Sequence, residues 1–169
     1  MLSTMQDVPL SITSLLRHGQ RVHRRSHVAT FDGQDLRSAT FAEVGERAER
    51  LARALGRLGV GEGDRVATFM WNTQEHLEAY FAVPCMGAVL HTLNLRLFPQ
   101  QLVHIANEAE DQVVLAHASV LPALAAVAAD LKSLRHVVVV DDGTPVAPEV
   151  AGPLPGVVAY EELLAGEAA

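Results

Sequence analysis

The hexapeptide Gly59-Val60-Gly61-Glu62-Gly63-Asp64 is the part of this chain most like a loop that cradles phosphate. A dinucleotide fingerprint, however, follows a strand and opens a helix, so that backbone N–H groups and the helix N-terminus face the pyrophosphate. Here the glycines close a helical repeat and precede an apolar run, which reads as a helix C-cap and turn. A triphosphate loop of the form Gly-x-x-x-x-Gly-Lys is absent, and the single lysine, Lys132, stands beside Ser133 and reads as solvated surface. Among the eight histidines, His23 and His27 are spaced to share one helical face, but no third ligand accompanies them and Arg24 and Arg25 would repel a cation. No metal site is expected. His91 falls on an apolar run and reads as a hydrogen-bonded core or interface residue. Cys85 sits in an apolar helix, where a thiol is inert, and no Gly-x-Ser-x-Gly elbow exists, so no catalytic residue is expected. Arg17, Arg21, Arg24 and Arg25 form a basic cluster, suited to anionic lipid, an acidic partner subunit or solvent.

The chain around these residues is 169 residues long, 49% hydrophobic and 20% charged, which fits one globular domain able to bury about 70% of its unfolded surface. Its formal net charge of -7 argues against nucleic acid, whose binding requires positive charge to displace condensed counterions. A single cysteine makes no internal disulfide, and no secretory leader pattern opens the chain, so a cytoplasmic location is expected. Charged and polar residues interrupt every apolar stretch before about 18 positions, the length a membrane span needs.

The pattern places a short helix over 11–22 with Ser11 as N-cap, after an N-terminal tail at 1–10. A β-hairpin follows, from Val28 to Phe31, through the turn Asp32-Gly33, to Leu36 and Phe41. Thr40-Phe41-Ala42-Glu43 resembles a capping box, and Val44, Ala48, Leu51, Leu55 and Leu58 recur at helical spacing up to Gly59. Strands at 65–71, 88–92, 112–116 and 136–140 then alternate with helices at 73–86, 99–109 and 120–131. Strands apolar on both faces and separated by helices predict a mainly parallel α/β sheet with helices on both sides, the hairpin being its antiparallel feature. The α/β core is assigned to 11–140, a Pro- and Gly-rich surface loop to 141–156, and a short strand and helical turn to 157–169.

The run from Asp64 through Pro84, with Trp71-Asn72-Thr73-Gln74-Glu75-His76 at its centre, continues through Met86-Gly87-Ala88 into His91-Thr92-Leu93-Asn94-Leu95-Arg96-Leu97. This stretch resembles the ANL superfamily of adenylate-forming enzymes, and within it the fatty acyl-CoA synthetases. Thr40 to Val44, the 59–66 turn and Ala106 to Asp111 support the match in the family's order. The resemblance implies the N-terminal subdomain of a medium- or long-chain fatty-acid–CoA ligase. Such an enzyme joins a fatty acid to AMP from ATP with magnesium, then passes the acyl group to coenzyme A. Its phosphate loop is expected downstream of Ala169, so the 169-residue piece is expected to be inactive alone and to need no cofactor of its own. The resemblance also places Arg96, in the Asn-x-Arg-Leu loop, near the phosphates of CoA. A guanidinium suits that task because its fork of donors matches phosphate oxygens. Leu95 stands where many relatives carry proline, which changes loop stiffness and leaves Arg96 in place. Expected partners are the rest of the ligase chain and, through apolar surface left by missing neighbours, a second copy; peripheral membrane contact is compatible with the parent. A complete small α/β binding module is the alternative. An NAD-dependent oxidoreductase fragment fails for want of a glycine fingerprint after a strand.

Overall fold

The computed structural model describes residue 4 and residues 9–31, 33–141, 143 and 146–167. Helix α1 (Ile12–Val22) starts where Ser11 accepts a hydrogen bond from Ser14 N at 3.2 Å. Strands β1 (His27–Phe31) and β2 (Leu36–Thr40) form a separate antiparallel hairpin with Phe31 opposite Leu36. Gly33 in its loop has φ of 106°, the left-handed conformation expected of the turn; Asp32 lies outside the described residues. Helix α2 (Phe41–Arg57) opens with a complete capping box, in which Thr40 Oγ1 accepts from Glu43 N and the Glu43 carboxylate accepts from Thr40 N.

From there strand and helix alternate: β3 (Arg65–Phe69), α3 (Gln74–Cys85), β4 (Val89–Thr92), α4 (Pro99–Ala109), β5 (Val113–His117), α5 (Leu121–Ala125), β6 (His136–Val140), α6 (Pro148–Ala151), β7 (Val157–Ala159) and α7 (Tyr160–Ala165). The five strands of the main sheet are all parallel, in the order β4-β3-β5-β6-β7. Alternate strand residues supply two cores. Val66, Val113, Leu115 and Val138 pack under α2, α3 and α7, whereas Ala67, Phe69, Val114 and Val137 pack under α4, α5 and the 148–154 segment. The chain steps from β3 to β4 in one direction and then back across β3 to β5. Right-handed crossovers in opposite directions must use opposite faces, which is why α3 and α4 lie on opposite sides of the sheet.

The helix expected over 120–131 is instead broken, into a 3₁₀ turn at Ala118–Val120, helix α5 and a second 3₁₀ turn at Ala128–Asp130. Its buried Leu121 and Leu124 lie within α5, and the buried Val127 precedes the second 3₁₀ turn. Pro122 also confines α5 to a first-turn start. Within 141–156, α6 forms a single turn and Leu154 joins the second core cluster.

Candidate functional site

The reversal of strand order between β3 and β5 leaves a gap above their carboxyl ends, the place where open α/β sheets bind ligands. A crevice of about 750 Å³ occupies it, walled by Phe31 and Arg37 of the hairpin, Trp71 and Asn72 after β3, His117 at the end of β5 and Ser119 after it. Trp71 Nε1 donates to Ser119 Oγ at 2.9 Å, and Ser119 Oγ lies 2.8 Å from His117 Nδ1, so a hydrogen-bonded chain spans the gap. Behind it His76 is fixed at both nitrogens, Nδ1 donating to Trp71 O at 3.1 Å and Nε2 accepting from Thr68 Oγ1 at 3.0 Å. Burial lowers the His76 pKa, more than the bond to Trp71 O raises it, so this imidazole stays neutral.

Helix α3 is held by buried carboxylates that the pattern of apolar residues did not announce. Glu75, 4% exposed, takes a two-pronged bond from Arg37 at 2.6 and 2.7 Å. Burial alone would raise the Glu75 pKa, but the Arg37 fork and local hydrogen bonds hold it below the usual carboxylate range. One turn on, the fully buried Glu78 accepts from Arg47 Nε at 2.7 Å, Gln74 Nε2 at 2.7 Å and Tyr160 OH at 2.6 Å. Arg47 also grips Glu161 of α7 at 2.5 and 3.0 Å. Burial pushes the Glu78 carboxyl up, opposed by its three donors. These contacts tie the hairpin, α2, α3 and α7 together behind the crevice. No short-range signal could have found them, since the partners lie between 31 and 114 residues apart except for Gln74.

Arg96 lies on the same carboxyl end, in the loop between β4 and α4. Leu93 N donates to Thr68 O at 2.9 Å, Asn94 Oδ1 accepts from Arg96 N at 2.9 Å, and Leu97 packs against the core. The loop is therefore rigid while the Arg96 side chain is exposed and, among the described residues, in no ion pair. Below it His91 Nδ1 donates to both carboxylate oxygens of the buried Asp111 at 2.8 and 3.0 Å, locking edge strand β4 to the start of β5. Burial pushes the Asp111 carboxyl up, against the pull of His91.

The other sequence candidates lie elsewhere. The glycine turn sits at the amino end of the sheet, where Gly59 and Gly63 take positive φ, Gly61 N donates to Asp64 Oδ2 at 2.8 Å and Gly63 N donates to Gly87 O at 2.9 Å. It closes α2 and feeds β3. The shared helical face imagined for His23 and His27 does not exist, because α1 ends at Val22 and His27 begins β1 with its Nδ1 on Ser38 Oγ at 3.0 Å. Lys132 is exposed, and Cys85 is the half-buried last residue of α3. Among the described residues no group of three His, Cys, Asp or Glu is placed to hold a metal ion.

Residues 16–156 match the family of AMP-binding enzymes. The chain is 45% identical to a long-chain-fatty-acid–CoA ligase of Thermus thermophilus, over 98% of this chain and 29% of that one. It is 39% identical to a medium-chain-fatty-acid–CoA ligase of Ectopseudomonas oleovorans, over 97% of this chain and 30% of that one. An anthranilate CoA ligase crystallised with anthranoyl-AMP shares the fold with a TM-score of 0.81, at 22% identity over 96% of this chain and 30% of that one. The chain thus spans about three-tenths of the length of the relatives it matches. With the motif run from Asp64 to Leu97 folded as β3, α3, β4 and the Arg96 loop, and with the family match spanning residues 16–156, the chain belongs to the AMP-binding enzyme family.

Proposed function

We propose that these residues are the N-terminal subdomain of an ATP-dependent fatty-acid–CoA ligase. The parent condenses a medium- or long-chain fatty acid with ATP to acyl-AMP and pyrophosphate, then transfers the acyl group to the CoA thiol with release of AMP. The observation that carries this reading is the 45% identity to a long-chain ligase across 98% of the chain. The described residues offer no ligand set for magnesium and no loop for a triphosphate, so the role assigned to them is to scaffold and to hold CoA. Arg96 holds a CoA phosphate, its guanidinium presented by a stiff Asx-turned loop and uncommitted to any carboxylate among the described residues. The parent is cytoplasmic, self-associates, and makes peripheral contact with membrane.

Two measurements test this. ATP-dependent acyl-CoA formation should be undetectable with the 169-residue chain and present with the uninterrupted gene product; turnover by the short chain would sink the scaffold role. In the full-length enzyme Arg96→Ala should raise KM for CoA about 10- to 100-fold, the loss of one charged hydrogen bond, and leave KM for the fatty acid unchanged. An unchanged KM for CoA would remove Arg96 from the site.

A further inference from the structure

The hydrogen-bonded chain across the crevice ends in a pair of side chains able to do chemistry. Strands β3 and β5 are parallel neighbours, so Trp71, just past the end of β3, meets Ser119, just past the end of β5. His117 closes β5, held in register with Val140 of β6. Its Nδ1 accepts from Ser119 N at 3.3 Å and so caps the 3₁₀ turn that follows. A ring nitrogen that accepts from a backbone N–H carries a lone pair and no proton. The Ser119 hydroxyl, 2.8 Å from the same nitrogen, is therefore the donor of that bond. Its oxygen accepts the Trp71 Nε1–H at 2.9 Å on another lone pair.

The cap is complete without the hydroxyl, because the imidazole fills it. What the hydroxyl adds is a nucleophile and a base within the reach of about 2.6–3.2 Å that proton transfer needs, the base oriented by a third group. That third group is the Ser119 backbone N–H, which fixes the tautomer. No Gly-x-Ser-x-Gly elbow marks Ser119, because its base stands two residues away rather than on a remote loop. Ser119 is exposed and faces the crevice together with Phe31, Trp71 and Asn72. Phe31 and Trp71, 68% and 52% exposed, present aromatic surface to a flat group, and the Asn72 amide can donate to an oxygen that gains charge.

We propose that Ser119 and His117 form an acyl-transfer site that hydrolyses carboxylic esters of aryl alcohols. Ser119 Oγ bonds to the ester carbonyl carbon as its proton passes to His117 Nδ1, and the aryl oxygen leaves with that proton as the old C–O bond breaks. Water then adds to the acyl-serine, giving a proton to the same nitrogen. Ser119 recovers that proton as the carboxylic acid departs. Both halves consume only the ester and water. The Trp71 N–H steadies the charge that grows on Oγ, and the aryl group stacks on the crevice aromatics. Arg96 stands on a different loop, after β4, so this site goes beyond the ligase reading and does not depend on it.

The test is release of 4-nitrophenolate from 4-nitrophenyl acetate by the purified chain. Release should exceed that in buffer, and peptide mass mapping should find the acetyl group on Ser119. Ser119→Ala should lower kcat/KM about 100-fold or more, the scale of base-assisted attack. His117→Asn, whose Oδ1 keeps an acceptor for the cap but cannot serve as the base, should lower it as far, and the double variant no further, because the two act as a unit. Trp71→Phe, which keeps the aromatic face and removes the N–H, should cost about tenfold. A rate no higher than buffer overturns the proposal. So does a Ser119→Ala variant that keeps the rate, or an acetyl group found only on other residues, which would mark unassisted surface histidines. The map is made on the unsubstituted chain, so it decides even where a variant misfolds. Failure in any of these leaves the acyl-CoA assay, and the ligase reading, untouched.

Discussion

Glu78 shows what a single side chain does in this molecule. A carboxylate with no solvent contact is tolerable only because three donors surround it, and removing it strands Arg47, Gln74 and Tyr160. Glu78→Ala is expected to cost about 3–5 kcal/mol in urea unfolding, and Tyr160→Phe, which deletes one bond to the carboxylate, about 1.5–3 kcal/mol. A Tyr160→Phe value near zero would mean that the hydroxyl does not tie α7 to α3. His76 makes a separate, pH-dependent contribution. Its folded pKa is depressed by burial below the ordinary 6.5, so on acidification the unfolded chain takes up a proton before the folded one does. Stability from His76 is therefore full above about pH 6.5 and falls as pH drops below it, by up to about 1.4 kcal/mol per pH unit. Glu75, also depressed, loses its contribution only below about pH 4.5, so the two windows are separable. Unfolding midpoints between about pH 7.5 and 5.5 should decline in the parent chain and flatten in His76→Gln; a slope that survives the substitution assigns the window to another group.

At the scale of elements, α2 illustrates a boundary written in local chemistry. Thr40 and Glu43 satisfy two orphan donors of the first turn, and Thr40→Ala should destabilise the fold by about 1 kcal/mol, read as a lowered thermal midpoint with unchanged helix content. No shift would mean that water replaces the cap. This start could be read from sequence because its partners are three residues apart, as could the parallel strands β3 to β6 and the hairpin. Two things could not. The 118–130 segment looks helical by composition, yet only Leu121–Ala125 is α-helical, flanked by 3₁₀ turns, while Leu121, Leu124 and Val127 pack in the second core. Helix α3 likewise reads as ordinary, but it turns Gln74, Glu75 and Glu78 inward, because arginines from β2 and α2 are waiting there. Arg96 is visible only through its resemblance to a family loop; nothing in its immediate spacing separates it from any exposed arginine.

Taken whole, the molecule has two well-filled cores but an unevenly covered exterior. Phe31 and Leu36, paired across the hairpin, are each 68% exposed, and Trp71 and Tyr80 of the flank beside them are 52% and 48% exposed. The hairpin joins no strand of the main sheet, and β4 and β7 are edges, so unpaired backbone adds to the apolar surface. Exposed patches of this kind favour association, since each large apolar side chain removed from water is worth about 1.5–3 kcal/mol when fully buried. The chain alone is therefore expected to self-associate, its mass by light scattering rising with concentration, and Phe31→Ser with Leu36→Ser should return it toward monomer. Trp71 is the only tryptophan, so its emission reports the same event locally. If the hairpin flank is the contact, association should shift that emission to the blue and shield it from acrylamide, and the double variant should abolish both changes. A strict monomer at high concentration would sink the prediction. A dimer that leaves Trp71 fully quenchable would move the contact to the β4 or β7 edge, where Val89 and Val157 are 49% and 40% exposed.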